Sequence, residues 1–312
     1  AGPNARRDFE GKLTAKVDLK SAQGGFWASE GAVAIDKLSL RRGAIELANQ
    51  RPISIDAKDG HFSVRDFELN GDNTYIKIAD RKAADAPARN VDIQINSKLD
   101  MNLLSIFTPF FEEMRGLLSM AVSLKIGPND SDIIGSAYID RAFLKFAEFG
   151  YPFENIQSDI VFNHRKVVIN SLKTDFGGGK IQAVGGLELQ GHHKVPVNVN
   201  GTFEKITLNL PDKVRTTGSG DFSFTGSWFP FLLKGNYTIR EGLMTKELAE
   251  FGGAGGPGGD GVRRDQFLPR FLIEESFSPL NVDMNIDFLS GLQMKNSMIE
   301  GTAVGKLHVT GK

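Results

Sequence analysis

The stretch that decides the fold is residues 195–210, VPVNVNGTFEKITLNL, in which apolar and polar residues alternate. Successive side chains of a β-strand point to opposite sides, so this stretch predicts a strand with one apolar and one solvated side. The same alternation appears in VDIQIN at 91–96, DFSFT at 221–225 and VDMNIDF at 282–288. Strands of a parallel sheet that is covered by helices are apolar on both sides, so the pattern indicates a mostly antiparallel, all-β protein.

Turn signals separate the strands, while helical patterns are scarce. The dipeptides Asp59-Gly60, Asn70-Gly71 and Asn200-Gly201 predict hairpin turns, which need positive φ. Apolar residues near helical spacing predict a short helix over 103–120, and a second one is expected over 245–251.

Two glycine patterns add to this prediction. The run of glycines at 252–261 predicts a flexible loop. A glycine followed by a short apolar strand also recurs along the chain, which favours an open, solenoid-like sheet over a closed barrel.

Composition excludes several functions. The 312 residues include 37 Lys and Arg against 38 Asp and Glu, and this balance gives no field that would attract nucleic acid. The chain has no Cys, which excludes disulfides and thiolate chemistry. No apolar run reaches the length of a transmembrane helix. The sequence starts and ends without terminal signals, so we interpret it as a segment of a longer polypeptide.

The sequence shows no catalytic or metal-binding pattern. Its His residues lack the spacing of metal ligands; His192 and His193, for example, would point to opposite sides of a strand. The GGGK at 177–180 lacks the leading glycine and the Ser or Thr of a phosphate-binding loop, and a glycine-rich turn before a strand is the simpler interpretation. We therefore expect no enzyme activity, no cofactor and no metal. Periodicity alone also allows an ordinary core between two packed sheets.

The chain from residue 135 onward resembles the C-terminal region of the TamB family, within the wider AsmA-like family. The resemblance depends on the order of several short segments, such as GSAYIDRAFLK at 135–145, TDFGGGKIQAVGGLEL at 174–189 and LKGNYTIREG at 233–242. Further segments of the same kind are 151–161, 219–226, 278–286 and 300–311, and residues 103–126 also fit.

The resemblance implies a curved, elongated β-sheet folded like a taco around an apolar groove. It divides the chain into an N-terminal β-groove segment, 1–90, and a TamB-like segment, 91–312. The alternating residues whose side chains would face the groove are Val91, Ile93, Ile95, Val197, Val199, Ile206, Leu208, Leu210, Phe222, Phe224, Val282, Met284, Ile286 and Phe288.

The resemblance also implies a function. Members of this family are periplasmic proteins of Gram-negative bacteria, tethered to the inner membrane, that are thought to carry phospholipid acyl chains along the groove to the outer membrane. An alternative is a scaffold or chaperone that assembles outer-membrane proteins with an Omp85-family partner, TamA or BamA. A third possibility is an inert β-structured spacer whose interior is filled by its own side chains.

Overall fold

Strands make up almost all of the described chain, which confirms the predicted all-β class. The computed structural model describes residues 9–21, 28–58, 61–81, 91–104, 111–127, 131–146, 150–189, 195–210, 213–227, 230–245 and 280–311. These residues form one short helix and eighteen strands.

The first part of the described chain contains eight strands and the helix. Their bounds are β1 (Phe9–Ser21), β2 (Ser29–Arg42), β3 (Ile45–Asn49), β4 (Ile53–Lys58), β5 (His61–Arg65), β6 (Phe67–Gly71), β7 (Thr74–Asp80), β8 (Val91–Asp100) and α1 (Met101–Leu104).

The second part contains ten strands. Their bounds are β9 (Phe111–Ile126), β10 (Ser131–Phe146), β11 (Phe153–Asn163), β12 (Lys166–Phe176), β13 (Gly179–Glu188), β14 (Val197–Leu210), β15 (Val214–Gly226), β16 (Phe231–Met244), β17 (Leu280–Lys295) and β18 (Glu300–Gly311).

The chain divides into two compact units with interleaved boundaries. The first consists of Ala1–Pro109, Met114–Ala142 and Ser158–Val168, and the second consists of Phe110–Glu113, Phe143–Gln157 and Ile169–Lys312. The division at residue 90 that the sequence suggested stays a prediction.

In the first unit, β2 pairs antiparallel with β1 along its whole length, and its two halves pair with β4 and β3 on the other side. The ladder continues through β6, β7, β8 and β9, and a single parallel bridge joins β5 to β8. The core residues of this unit are Leu47, Ile53, Leu69, Leu99 and Leu103. Leu103 lies on α1, so the helical turn contributes to this core.

The second unit contains a continuous run of paired strands from β13 to β18. The pairs β13–β14, β14–β15, β15–β16 and β17–β18 are antiparallel, whereas β16 and β17 run parallel. Gly177 and Gly178, with φ of 56° and 78°, form the two-residue turn between β12 and β13. The interpretation of GGGK as a turn before a strand is therefore confirmed.

The helix predicted over 103–120 is wrong over residues 111–120; residues 103 and 104 lie in α1, and residues 105–110 lie outside the described residues. Phe111–Ile126 forms β9, while α1 ends at Leu104. Apolar residues spaced by four also fit a period of two, so the sequence pattern was ambiguous. The antiparallel ladder with β8 places Val122 opposite Ile95, and this cross-strand pairing outweighs the local helical signal.

Two of the predicted turns are also wrong. Asn200-Gly201 lies inside β14, where Gly201 is paired with Ala183 and Phe222 on the neighbouring strands. The turn expected at Asn70-Gly71 lies two residues later, because Gly71 still pairs with Thr74. Asp59 and Gly60 lie outside the described residues, but β4 and β5 on either side pair antiparallel, with Lys58 opposite His61, as the predicted hairpin requires. The glycine-rich loop at 252–261 lies outside the described residues, as does the helix predicted at 245–251 except for Thr245.

We predict that Leu69→Ala lowers the free energy of unfolding by about 2–5 kcal/mol, because it removes a fully buried side chain and leaves a cavity. Urea denaturation of the full chain measures this loss. The matched control is Leu13→Ala on the exposed strand β1, where we expect a change within about 0.5 kcal/mol. Equal losses in the two variants would contradict this description of the core.

Candidate functional site

The ladders of the second unit place most of the predicted groove residues on one side of the sheet. Residues directly opposite each other on paired strands have their side chains on the same side. One row across β14, β15, β16 and β17 consists of Val199, Phe224, Leu233 and Val282. A second row consists of Phe203, Gly220, Tyr237 and Ile286. We call this side of β13–β18 the apolar face.

β-Bulges keep the apolar face continuous where the strict alternation breaks. In β14, Phe203 and Ile206 are three residues apart but pair with Gly220 and Gly218, which are two apart. The extra residue restores the orientation of Ile206 and Leu208 to the apolar face. Lys205 in this bulge has φ of 52°, and its N–H donates to Ser219 Oγ at 3.0 Å.

Glycines on the apolar face leave space for aromatic rings on the adjacent strands. A Cβ atom at Gly220 would lie 2.7 Å from Cζ of Phe203, and one at Gly201 would lie 2.6 Å from the ring of Phe222. A Cβ at Gly218 would lie 2.5 Å from the ring of Tyr237. The rings therefore lie over glycine backbone, which explains why glycines and aromatic residues alternate across these strands.

The centre of the apolar face is a packed core, to which Phe176 of β12 also contributes. Phe176, Phe203, Ile206, Tyr237 and Ile239 are buried, with Ile206 5% and Ile239 1% exposed. The predicted groove residues that pack against them with partial exposure are Leu208, Phe222, Met284, Ile286 and Phe288. Ile206, which was expected to face a groove, is part of this core.

The margins of the apolar face are more accessible. Val197, Val199, Phe224 and Val282 are half-buried. On β18, Leu307 pairs with Ile286 and is 53% exposed, and Val309 beside Met284 is also exposed. The apolar face thus changes from a filled centre to open margins.

A buried hydroxyl pair lies within the apolar face. The hydroxyls of Thr216 and Tyr237 are 3.0 Å apart, and both residues are buried. Burial raises the pKa of the Tyr237 phenol above its ordinary value, and the hydrogen bond with Thr216 opposes this rise only in part. Tyr237 therefore behaves as a neutral core residue with one satisfied polar group.

The opposite side of the same strands is polar and is connected by hydrogen bonds. Asn236 donates through Nδ2 to both carboxylate oxygens of Asp221 at 3.0 Å. Asn285 Nδ2 donates to Asn236 Oδ1 at 3.2 Å, and His308 Nδ1 lies 2.8 Å from Asn285 Oδ1. This polar row crosses β15 to β18 and fixes which side of the sheet is solvated.

The predicted residues of β8 lie in the first unit. Val91, Ile93 and Ile95 are half-buried and pair with Ile126, Leu124 and Val122 of β9. The remaining predicted residues belong to the second unit, on β14, β15 and β17. The orientation of the Leu210 side chain lies outside what the structure describes.

Sequence reasoning missed the contribution of β16. Leu233, Tyr237 and Ile239 lie on the apolar face between the predicted residues of β15 and β17. The alternation in LKGNYTI at 233–239 could have identified them. Leu307 and Val309 of β18 also lie on the apolar face and were likewise not predicted.

The described residues contain no group of three or more His, Asp or Glu side chains that could hold a metal ion. Among the same residues, no helix is long and apolar enough to span a bilayer.

The fold and the site define an all-β protein whose sheet separates an apolar side from a polar side. Residues 170–312, which include β13–β18, match the TamB C-terminal domain family. This match supports assignment of the chain to the TamB family, within the AsmA-like proteins. Neither the curated proteins nor the solved structures compared with the chain gave a match.

The match to the TamB C-terminal domain supports a role in outer-membrane protein assembly or lipid transport. TamB proteins are non-enzymatic transport or assembly modules that act with an Omp85-family partner. The family also indicates a periplasmic, membrane-associated protein.

We predict that Gly220→Ala lowers the free energy of unfolding by at least about 2 kcal/mol, because the new Cβ overlaps the carbonyl oxygen of Asn236 and crowds Phe203. Gly305→Ala is the matched control, since a Cβ there meets no atom within 4 Å. Urea denaturation compares the two. If Gly220→Ala proves as mild as Gly305→Ala, the aromatic rings do not lie over glycine backbone.

We predict that Tyr237→Phe changes how stability depends on pH. The unfolded chain loses the phenol proton near pH 10, whereas the folded chain keeps it to higher pH. The stability linked to this proton is therefore full below about pH 10 and falls as the pH rises above that value. Urea denaturation at pH 8 and pH ~10.5 should show a smaller loss in the Phe variant than in the native chain. Equal losses would mean that the phenol is not buried.

Proposed function

We propose that the open margins of the apolar face bind phospholipid acyl chains, and that the whole protein carries phospholipids between the inner and outer membranes. The continuous row Val199–Phe224–Leu233–Val282 is the observation that carries this proposal. An acyl chain has no polar groups to recognise, so a surface with many weak apolar contacts suits it.

The energetics favour binding at the margins over the centre. The centre is filled by Phe203, Ile206 and Tyr237, whose displacement would expose buried surface. Burying one methylene group contributes about 0.8 kcal/mol, so even a few methylenes against half-buried valines and leucines give useful affinity. Movement from one apolar row to the next costs little, because hydrocarbon that leaves one strand comes to lie against the apolar side chains of its neighbour.

The proposal includes a location and a partner. In it, the parent protein is tethered to the inner membrane and extends through the periplasm as a curved sheet with an apolar groove. Val91, Ile93 and Ile95 would provide apolar contacts of the same kind within the first unit, and TamA or BamA would be the outer-membrane partner.

A second candidate function is assembly of outer-membrane proteins. It is favoured by the exposure of β18, in which all residues except Gly301 are exposed although the strand pairs with β17 along most of its length. An accessible strand can add a strand from another chain through backbone hydrogen bonds. This function needs the strand edge, not the apolar face, so Ile286→Asp should leave it intact.

We predict that a photo-crosslinking amino acid at Val199 or Val282 captures phospholipid in cells. The matched controls are Asn198 and Asp283, the neighbours whose side chains lie on the polar side. In the same assay, Phe224→Asp should lower capture at Val199 by roughly tenfold, because a carboxylate strongly disfavours a hydrocarbon contact.

Lipid capture at the apolar positions and not at their neighbours supports transport. Capture of outer-membrane proteins alone, unaffected by Phe224→Asp, would favour the assembly function. Capture of nothing at every apolar position would leave only a spacer.

A further inference from the structure

β16 and β17 are neighbouring strands that run in the same direction. Phe231 lies opposite Leu280 at their first residues, and Met244 lies opposite Met294 near their last. The chain therefore leaves β16 at one end of the sheet and enters β17 at the other. Parallel neighbours need such a crossover connection, which must pass along one side of the sheet.

The connecting segment is long enough for this path. β16 has 14 residues, which correspond to about 46 Å at the rise of an extended strand. The chain between Met244 and Leu280 is about 35 residues and could span at most about 115 Å when fully extended. The segment is longer than this path requires, so its length does not determine along which side of the sheet it passes.

Backbone hydrogen bonding shows how the apolar residues of β16 are oriented. Glu188 N–H of β13 donates to the carbonyl oxygen of Pro196, just before β14, at 2.9 Å. The register between these strands is unbroken, so Glu188 and alternate residues before it direct their backbone groups towards β14, whereas Ile181 directs its groups away from β14. In an antiparallel sheet, residues that lie opposite each other form either a hydrogen-bonded pair or a non-hydrogen-bonded pair. Along one row of residues across the sheet, the two kinds of pair alternate from one strand pair to the next. In this row, Ile181–Phe203 is a non-hydrogen-bonded pair, Phe203–Gly220 is a hydrogen-bonded pair, and Gly220–Tyr237 is a non-hydrogen-bonded pair. Tyr237 therefore directs its N–H and C=O towards β17.

The chirality of L-residues then determines on which side of the sheet a right-handed connection passes. On an upward strand of L-residues, a residue whose side chain points at the viewer directs its N–H and C=O to the right. A viewer who faces the apolar face therefore sees β17 to the right of β16. A right-handed crossover that moves to the right passes in front of the sheet, and about 98% of such connections are right-handed. A right-handed connection between β16 and β17 therefore runs over the apolar face.

The composition of the segment fits that side. Residues 267–273, FLPRFLI, contain five large apolar side chains. The polar side would offer them Asn285, Asp287 and His308, whereas the apolar side offers half-buried Met284 and Ile286.

We propose that the apolar face of β16 and β17 is a docking surface for residues 246–279 of the same chain. This inference goes beyond lipid binding and does not depend on it. Acyl chains would then have to share the face with the chain's own residues, so the segment acts as an intramolecular competitor for hydrocarbon.

The test uses the absence of native Cys. A single Cys introduced by Met284→Cys in the full chain is labelled with benzophenone, irradiated and digested with trypsin. The matched control is Asn285→Cys, the next residue, whose side chain lies on the polar side. We expect the tryptic peptide 265–270 to be crosslinked to position 284 at least fivefold more than to position 285.

A second pair of Cys variants tests the inference if the Met284→Cys variant does not fold. Leu307→Cys and Lys306→Cys are both exposed positions on β18, on the apolar and polar sides respectively. The inference is overturned if neither apolar position captures residues 246–279, or if the polar positions capture them equally well. Neither result involves lipid, so the lipid-binding proposal is tested separately by its own crosslinking experiment.

Discussion

The structure depends on one constraint, which is that apolar side chains must remain on the same side of every strand across a wide sheet. A shift of one residue in one strand would turn all of its apolar side chains towards solvent. In the second unit the bulges at Phe203–Ile206 and Phe288–Leu292 absorb the extra residues without such a shift. The polar row from Asp221 to His308 also disfavours a shift of one residue, because such a shift would bury its amide and carboxylate groups.

Much of the fold could be predicted from period-two alternation, because this signal reflects the burial of one side of each strand. The orientation of Val199, Phe224 and Val282 followed from it directly. The helical spacing gave a wrong prediction at residues 111–120, where apolar residues four apart fit both periods and the strand pairs with β8. Local turn chemistry misled at Asn200-Gly201, since glycine serves there to admit the ring of Phe222 and not to form a turn.

Other features could not be read from the sequence, because they arise from contacts between distant strands. The parallel pairing of β16 with β17 joins strands separated by a long segment, and nothing local specifies its direction. The burial of Ile206 depends on its packing in one cluster with Phe176 of β12 and Tyr237 of β16, which lie far from it in the sequence. Alternation predicts the side on which a residue lies but not whether that side is filled or open.

The distinction between a filled centre and open margins makes a stable sheet compatible with the hydrocarbon binding that we propose. Aromatic rings over glycine backbone give the centre its packing, and half-buried aliphatic residues provide the accessible surface. The most direct measurement of this account is solvent extraction of the full chain purified from the periplasm, followed by quantification of lipid phosphorus. The account predicts phospholipid in roughly stoichiometric amounts, and a lower content after Phe224→Asp. A purified, folded chain that yields no phospholipid would contradict it.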